Sequence, residues 1–133
     1  MTWENKFLLC KRAIEPRIGY WTLPAGFMEE GESTRDGAVR EAWEEAHARI
    51  EIGPLLGVYN IPRISQVQMI YRARLLSPEV SPGIESEDVG LFTWDDIPWD
   101  EIAFPTVHWA FAHYRETLGQ NDFAPRSEMS MGL

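Results

Sequence analysis

Cysteine is scarce in this sequence, and its scarcity excludes two kinds of site. Cys10 is the single cysteine among 133 residues, so the chain can form neither an intramolecular disulfide nor a zinc site built from cysteines. Cys10 stands within the apolar run of KFLLCKR. We expect it to pack as a small side chain in a buried strand rather than to act as a reactive thiol.

Long hydrophobic runs are also missing. No apolar stretch approaches the ~20 residues that cross a bilayer, and the N-terminal MTWENKFLLCKRA carries charges where a signal peptide has its apolar core. We therefore expect a cytoplasmic protein with no membrane partner. With 44% hydrophobic and 25% charged residues, the composition is that of a globular protein. We predict a single domain at residues 1–120 and a frayed tail at residues 121–133, which lack hydrophobic periodicity.

Basic residues are outnumbered by acidic ones. The chain has 12 Lys and Arg against 21 Asp and Glu, which gives a net charge of −9. Because an acidic protein repels polyanions, we expect no nucleic-acid partner. If the substrate carries phosphates, divalent cations must reverse the sign of the local potential at the site.

The acidic residues concentrate in one stretch, residues 26–48, with the sequence GFMEEGESTRDGAVREAWEEAHA. At its centre Glu41, Glu44 and Glu45 stand at positions i, i+3 and i+4, which lie on one face of a helix. Like charges at that spacing cost roughly 0.2–0.5 kcal/mol per pair unless a cation lies among them. The spacing therefore favours a metal site. The alternative is a solvated helix face on which Arg40 pairs with Glu44.

The same stretch resembles the box of the Nudix (MutT-like) family, G-x5-E-x7-R-E-U-x-E-E-x-G-U, where U is a bulky aliphatic residue. The residues that match this pattern in register are Gly26, Glu32, Arg40, Glu41, Glu44 and Glu45. The preceding WTLPAGF also resembles the family's usual approach to the box. Alanines replace the aliphatic residues at positions 42 and 48, and His47 replaces the final glycine. Histidine is enriched at positive φ, so His47 can end the helix where glycine usually does.

The resemblance implies a Nudix fold, an α/β (α+β) sandwich in which helices flank a mixed β-sheet. It implies hydrolysis of the pyrophosphate bond in a nucleoside diphosphate linked to another moiety, with Mg²⁺ or Mn²⁺ as the cofactor. Residues 60–62 and 66–67 resemble the branch that acts on FAD, ADP-ribose or NADH. The alternatives are a nucleoside triphosphate pyrophosphohydrolase and a non-catalytic nucleotide-binding module. Dimers are frequent in this family, so the resemblance also allows a homodimer.

Carried over by position, the resemblance assigns the metal ligands. Glu41, Glu44 and Glu45 would hold the ions together with the carbonyl of Gly26. In many members a carboxylate that follows a later loop is a further ligand, and Glu87 is the candidate here. The alternative for Glu87 is a solvated acidic turn.

The resemblance also assigns the groups that orient the carboxylates and accept a proton. Arg40 would orient the carboxylates of the box by pairing with Glu32 or Glu44. The candidates for the general base, among which members of the family differ, are Glu41, Glu45 and Glu85.

Loops outside the box supply the candidates for substrate contact. Tyr20 and Trp21 offer aromatic faces on which a base could stack. Arg12 and Arg17 flank the same loop and could meet phosphates, and Pro62 lies in a later linker. The alternatives are core or rim positions for the aromatic residues and plain surface positions for the arginines.

Periodicity and turn residues predict the order of the elements. Strands are expected at residues 6–12, 20–23, 49–52, 55–61, 67–75 and 89–94, with a turn at Gly53 and Pro54. One helix is expected to begin at Ser33 or Thr34, and the last helix follows Phe104 and Pro105. Members of the family generally have a strand before the first of these. This chain is therefore expected to lack that strand, to take it from a partner, or to have a start site assigned too late.

Overall fold

The computed structural model describes residues 1–129, which form one mixed sheet with two α-helices. The elements in chain order are β1 (Thr2–Trp3), β2 (Lys6–Arg12), β3 (Trp21–Thr22), α1 (Thr34–Ala46), β4 (Ile50–Ile61), β5 (Gln66–Leu75), β6 (Ser86–Thr93), α2 (Pro105–Glu116) and β7 (Arg126–Met129). Single 3₁₀ turns lie at Pro62–Ile64, Trp94–Asp96 and Trp99–Glu101. No helix within residues 1–129 is long and apolar enough to cross a membrane.

Strand β2 lies at the centre of the sheet. One edge of β2 pairs antiparallel with β6, and its other edge pairs antiparallel with β1 and then with β3. Strand β1 pairs parallel with β5, and β5 pairs antiparallel with β4. Strand β4 in turn pairs parallel with β7. Parallel and antiparallel pairs occur in one sheet, which confirms the predicted mixed sheet.

The two faces of β2 pack against different helices. Leu8 and Cys10 belong to a buried cluster with the alanines of α1. Phe7 and Leu9 belong to a second cluster with apolar residues of α2. A strand buried on both faces reads as a continuous apolar run, which is why KFLLCKR shows no alternation. The predicted sandwich and the predicted burial of Cys10 are both confirmed.

Strand β4 corrects one prediction. The sequence predicts two strands separated by a turn at Gly53 and Pro54, but β4 runs through both residues. Its pairing with β5 shifts register on either side of Leu55, so the proline lies at an irregularity where no ladder hydrogen bond is required of it. The backbone of Gly53 also lies close to the Arg72 carbonyl oxygen, which a Cβ atom at residue 53 would approach to 3.0 Å.

The two ends of the described chain also differ from expectation. A short strand, β1, precedes β2, so the first of the three expected alternatives, that the chain lacks such a strand, is wrong. The predicted frayed tail is wrong for residues 126–129, which form β7 beside Gly57–Asn60 of β4. Arg126 pairs with Glu116 of α2 at 3.3 Å, so one ion pair also holds β7 to the helix. Residues 130–133 of the predicted tail lie outside the described part of the chain.

Candidate active site

Helix α1 carries the acidic residues, and local contacts define its ends. Ser33 is the N-cap, because its hydroxyl oxygen accepts a hydrogen bond from the amide of Asp36 at 3.1 Å. At the other end, His47 adopts the left-handed conformation with a φ of 48°, and its amide donates to the Trp43 carbonyl. The positive φ predicted for His47 is confirmed. Glu41, Glu44 and Glu45 therefore occupy the last turns of a helix that begins and ends where its sequence predicts.

Arg40 is the centre of the charged network on α1. Its Nε atom donates to Glu32 at 2.7 Å, and its Nη1 atom donates to Glu41 at 2.8 Å and to Glu44 at 2.9 Å. Its Nη2 atom donates to the Phe27 carbonyl at 3.0 Å. The hydrogen bonds from Arg40 lower the pKa of Glu32. One guanidinium therefore orients three carboxylates and holds the loop that precedes the helix.

Glu45 and Glu41 are the carboxylates of the box whose pKa is raised. Burial is the largest cause for both, and it raises the pKa of Glu45 to about 7. The negative charges of Glu41 and Glu85 act on Glu45 in the same direction. A hydrogen bond from the amide of Ala25 to Glu45 Oε2, at 2.8 Å, opposes the shift. Acids that repel one another in this way are stabilised when a cation binds among them.

Gly26 lies directly against the carboxylate of Glu41. A Cβ atom at residue 26 would overlap the carboxylate atoms of Glu41. The φ of Gly26 lies outside the left-handed region, so glycine is required here for space and not for its backbone conformation. The structure thus brings the backbone of residue 26 and the carboxylate of Glu41 together.

The donor set fits a hard divalent cation. Carboxylates and a backbone carbonyl are the ligands that Mg²⁺ and Mn²⁺ prefer, and the lack of a side chain at Gly26 lets the Glu41 carboxylate lie directly against the backbone of residue 26. Within residues 1–129, no three acidic, histidine or cysteine side chains converge as a coordination group. In this arrangement Arg40 donates to Glu41 and Glu44, and the Ala25 amide donates to Glu45. The residues that would hold the ions are Gly26, Glu41, Glu44 and Glu45.

Two acids near the start of β6 differ in their surroundings. Glu85 lines a small cleft together with Glu45 and Arg12, and its charge contributes to the raised pKa of both Glu41 and Glu45, which are half-buried. Glu87 lies beside Gly19, where a Cβ atom would be 3.7 Å from Glu87 Oε1. The structure therefore brings Glu85 into the cleft with the box and places Glu87 beside the loop that follows β2.

The residues predicted to contact substrate also differ in whether they lie in the cleft. Arg12 lines the cleft, and its guanidinium lies 5.1 Å from the centroid of the Phe104 ring. Its Nε atom donates to the Pro16 carbonyl at 2.6 Å, which restricts the guanidinium to this position. Arg12 is thus the predicted phosphate contact that the structure brings beside the acids.

The other four substrate candidates lie elsewhere. The guanidinium of Arg17 lies 5.3 Å from the centroid of the Tyr20 ring, so these two residues cover each other. Trp21 packs edge-on against Phe92 at 5.0 Å, next to the cluster on the α2 side of the sheet. Pro62 begins the 3₁₀ turn between β4 and β5. For Trp21 the structure supports the core alternative rather than a stacking face.

Some residues of the cleft were not singled out by the sequence. Those that line it besides the predicted ones are Cys10, Ile14, Thr22 and Ser86. The hydroxyl of Ser86 donates to the Glu45 carbonyl at 2.9 Å across a separation of 41 residues. Such a contact has no local signal, and the only hint was that Ser86 directly follows Glu85.

Comparison with known proteins places this geometry in a family. Residues 2–113 match the model of the NUDIX domain. The chain is 31% identical over 105 residues to an ADP-ribose pyrophosphatase from Methanocaldococcus jannaschii, which covers 76% of this chain and 61% of that relative. It spans about three fifths of the length of this relative and of a MutT-like protein from Streptomyces ambofaciens.

Solved structures agree with the family match. A Nudix hydrolase from Nitrosomonas europaea superposes with a TM-score of 0.89 at 51% identity, over 97% of this chain and 74% of that one. An ADP-ribose pyrophosphatase from Streptococcus suis superposes with a TM-score of 0.74 at 26% identity, over 95% of this chain and 92% of that one. Because the family model covers most of the chain, and the box residues meet around Arg40, the chain belongs to the Nudix family.

Proposed function

We propose that this protein hydrolyses the pyrophosphate bond of a nucleoside diphosphate linked to another moiety, of the ADP-ribose, FAD or NADH type, and releases a nucleoside monophosphate. The observation that carries the proposal is the cleft in which Glu45, Glu85 and Arg12 meet beside the Arg40 network. Similarity to ADP-ribose pyrophosphatases supports this substrate class. We propose Mg²⁺ or Mn²⁺ as the cofactor.

Pyrophosphate resists attack by water because its oxygens are already negative. Divalent ions, when bound, neutralise the charge that develops on these oxygens and lower the pKa of the attacking water. In this chain Glu41, Glu44 and Glu45 would hold the ions with the Gly26 carbonyl. Arg40 keeps the first two of these carboxylates oriented through its hydrogen bonds at 2.8 and 2.9 Å.

The proton of the attacking water needs an acceptor inside the cleft. Glu85 meets this need from outside the helix, because its charge acts on both Glu41 and Glu45 and it lines the cleft beside Arg12. Glu41 and Glu45 stay candidates for the same role. The guanidinium of Arg12, which lines the same cleft as these acids, offers a positive charge to the phosphates.

A substrate panel tests the proposal. FAD, NADH, ADP-ribose, diadenosine polyphosphates and nucleoside triphosphates are each incubated with Mg²⁺ and with Mn²⁺, and AMP and phosphate are measured. Metal-dependent release of AMP from the dinucleotides is the expected result. Release from triphosphates alone would replace the proposal by a nucleoside triphosphate pyrophosphohydrolase, and no release from any compound would favour a nucleotide-binding module.

The variant Glu45→Gln tests the metal assignment within that panel. We expect kcat to fall by about 10²-fold or more with the fold intact, because one ligand charge is lost at nearly constant volume and a bound ion supplies several kcal/mol. Glu101→Gln makes the same chemical change at an exposed 3₁₀ turn and is the matched control. A Glu45→Gln enzyme that kept more than about a tenth of wild-type activity would contradict the assignment.

A further inference from the structure

His47, the residue that replaces the last glycine of the box, makes a contact that glycine could not make. His47 Nδ1 and Ser81 Oγ lie 2.8 Å apart and share a hydrogen bond. His47 makes this contact from the left-handed conformation at a φ of 48°, which glycine adopts with less strain. The chain therefore has a side-chain contact at a position where backbone geometry favours glycine.

Ser81 belongs to the loop of residues 77–85, which rests on the C-terminal end of α1. The Ser81 amide donates to the Ala46 carbonyl at 2.9 Å, and the Gly83 amide donates to the Glu45 carbonyl at 3.0 Å. A Cβ atom at Gly83 would overlap the Glu44 carbonyl oxygen, so the two backbones lie in direct contact. These carbonyls belong to the last turn of the helix, where intrahelical donors are lacking. The loop supplies donors that the helix end needs.

Glu85 comes shortly after Ser81 and Gly83, the residues whose amides attach the loop to α1. The next residue, Ser86, donates its hydroxyl to the Glu45 carbonyl at 2.9 Å, and the Glu85 carbonyl accepts from the amide of Ala13 at 3.0 Å. The backbone around Glu85 is thus held by the end of α1 on one side and by the segment after β2 on the other. The carboxylate of Glu85 consequently faces Glu45 in the cleft.

We propose that His47 and Ser81 form a latch that fastens this loop to α1 and so holds Glu85 in the candidate active site. His47 is then a positioning residue that acts through Glu85. The inference rests on the proposed function, in which Glu85 accepts the proton of the attacking water. Placing a reacting group about 1 Å away from its productive position costs about 10²-fold in rate, so even partial release of the loop is measurable.

The variant His47→Gly removes the latch and restores the glycine of the family pattern. We expect kcat to fall about tenfold with KM changed less than about twofold, since the loop loses its side-chain anchor while the residues that bind substrate stay in place. Ser81→Ala should give the same result, and the double variant should lose no more than either single one, because both remove one interaction. The melting temperature of His47→Gly should stay near that of the wild type, because glycine suits the left-handed helix end.

A Glu85→Gln background separates positioning from a general structural effect. If His47 acts through Glu85, adding His47→Gly to Glu85→Gln lowers kcat no further. An additional tenfold loss in that background would overturn the proposal. Glu4→Gly is the matched control, because Glu4 also has a positive φ, 45°, and lies in the turn between β1 and β2. It should leave kcat unchanged.

Amide hydrogen exchange tests the latch without any turnover. In His47→Gly the amides of Ser81 and Gly83 should exchange at least about tenfold faster, while those of the β4 and β5 pairing keep their protection. Unchanged protection of both amides would overturn the latch. If the wild-type protein hydrolyses no compound of the panel, the proposed function fails, and the exchange result still decides whether the latch exists.

Discussion

Replacement of Gly26 by alanine should separate activity from stability in this protein. The added Cβ atom would overlap the carboxylate of Glu41, which receives a hydrogen bond from Arg40 at 2.8 Å. The carboxylate is the far end of a flexible side chain, so it can turn away without moving the backbone. Turning away takes Glu41 out of the orientation in which it would hold an ion beside the residue 26 carbonyl.

The magnitudes follow from this geometry. Displacing one carboxylate of the site by ~1 Å or more predicts a loss of about 10²-fold in kcat/KM. Stability changes little, because alanine fits a φ outside the left-handed region and restricts the unfolded chain, which is worth ~0.4–1 kcal/mol in favour of folding. That gain offsets the weakened contact with Arg40, and we expect a melting temperature within about 4 °C of the wild type.

Gly31→Ala is the matched control, with the opposite expectation. Gly31 has a φ of +79° and nothing within 4 Å of its would-be Cβ atom, so alanine strains the backbone there but meets no neighbour. It should cost ~1–2 kcal/mol of stability and keep full activity well below its melting temperature. Thermal melts and kcat/KM are measured on both variants. Retention of more than about a third of kcat/KM by Gly26→Ala would refute the reasoning about Glu41.

Three further perturbations test other parts of the molecule. Chelation of divalent ions should abolish turnover and leave the circular dichroism spectrum unchanged, and turnover that persisted in excess EDTA would contradict a metal-dependent site. Tyr59→Phe should lower the free energy of unfolding in urea by ~1–3 kcal/mol, because the buried hydroxyl lies 2.7 Å from His113 Nδ1 and its loss leaves that nitrogen unpaired. An unchanged free energy of unfolding would contradict this role of the hydroxyl. The Cys10 thiol should react with a disulfide reagent at pH 8 only after unfolding, because burial raises its pKa to about 12. Because the ordinary thiol pKa is 9.0, the protonated Cys10 thiol contributes to stability below pH 9, and this contribution is lost as the pH rises towards 12. The free energy of unfolding of Cys10→Ala should therefore decline less over that pH range than that of the wild type.

The parts of the fold that the sequence predicted are those whose signals are local. Helix α1 begins at Ser33, one of the two predicted caps, and ends at the predicted left-handed residue, His47. Both are decided by contacts within a few residues of the chain. The pairing of Arg40 with Glu44 was predicted from their i, i+4 spacing, whereas the pairing of Arg40 with Glu32 was implied by the family resemblance.

The parts that the sequence did not predict depend on distant neighbours. Strand β7 is a short polar edge strand, and only its pairing with β4 makes it a strand. Gly53 and Pro54 carry the composition of a turn, but β5 continues beside them and absorbs the irregularity. Ser86 reaches Glu45 only because β2 places β6 and α1 side by side. None of these neighbours can be read from residues close in the chain.

The charges of the site decide how substrate and metal must bind. Arg40 donates from all three of its guanidinium nitrogens to the protein itself, so it is not available to a phosphate. Arg12 is the guanidinium that lines the cleft with Glu45 and Glu85, and one arginine does not outweigh these acids in a chain of net charge −9. For the diphosphate substrate that we propose, the attraction would therefore come from the proposed divalent ions. Metal and substrate should thus strengthen each other's binding, because the ions reduce the repulsion that the diphosphate meets and the diphosphate adds anionic oxygen ligands for the ions.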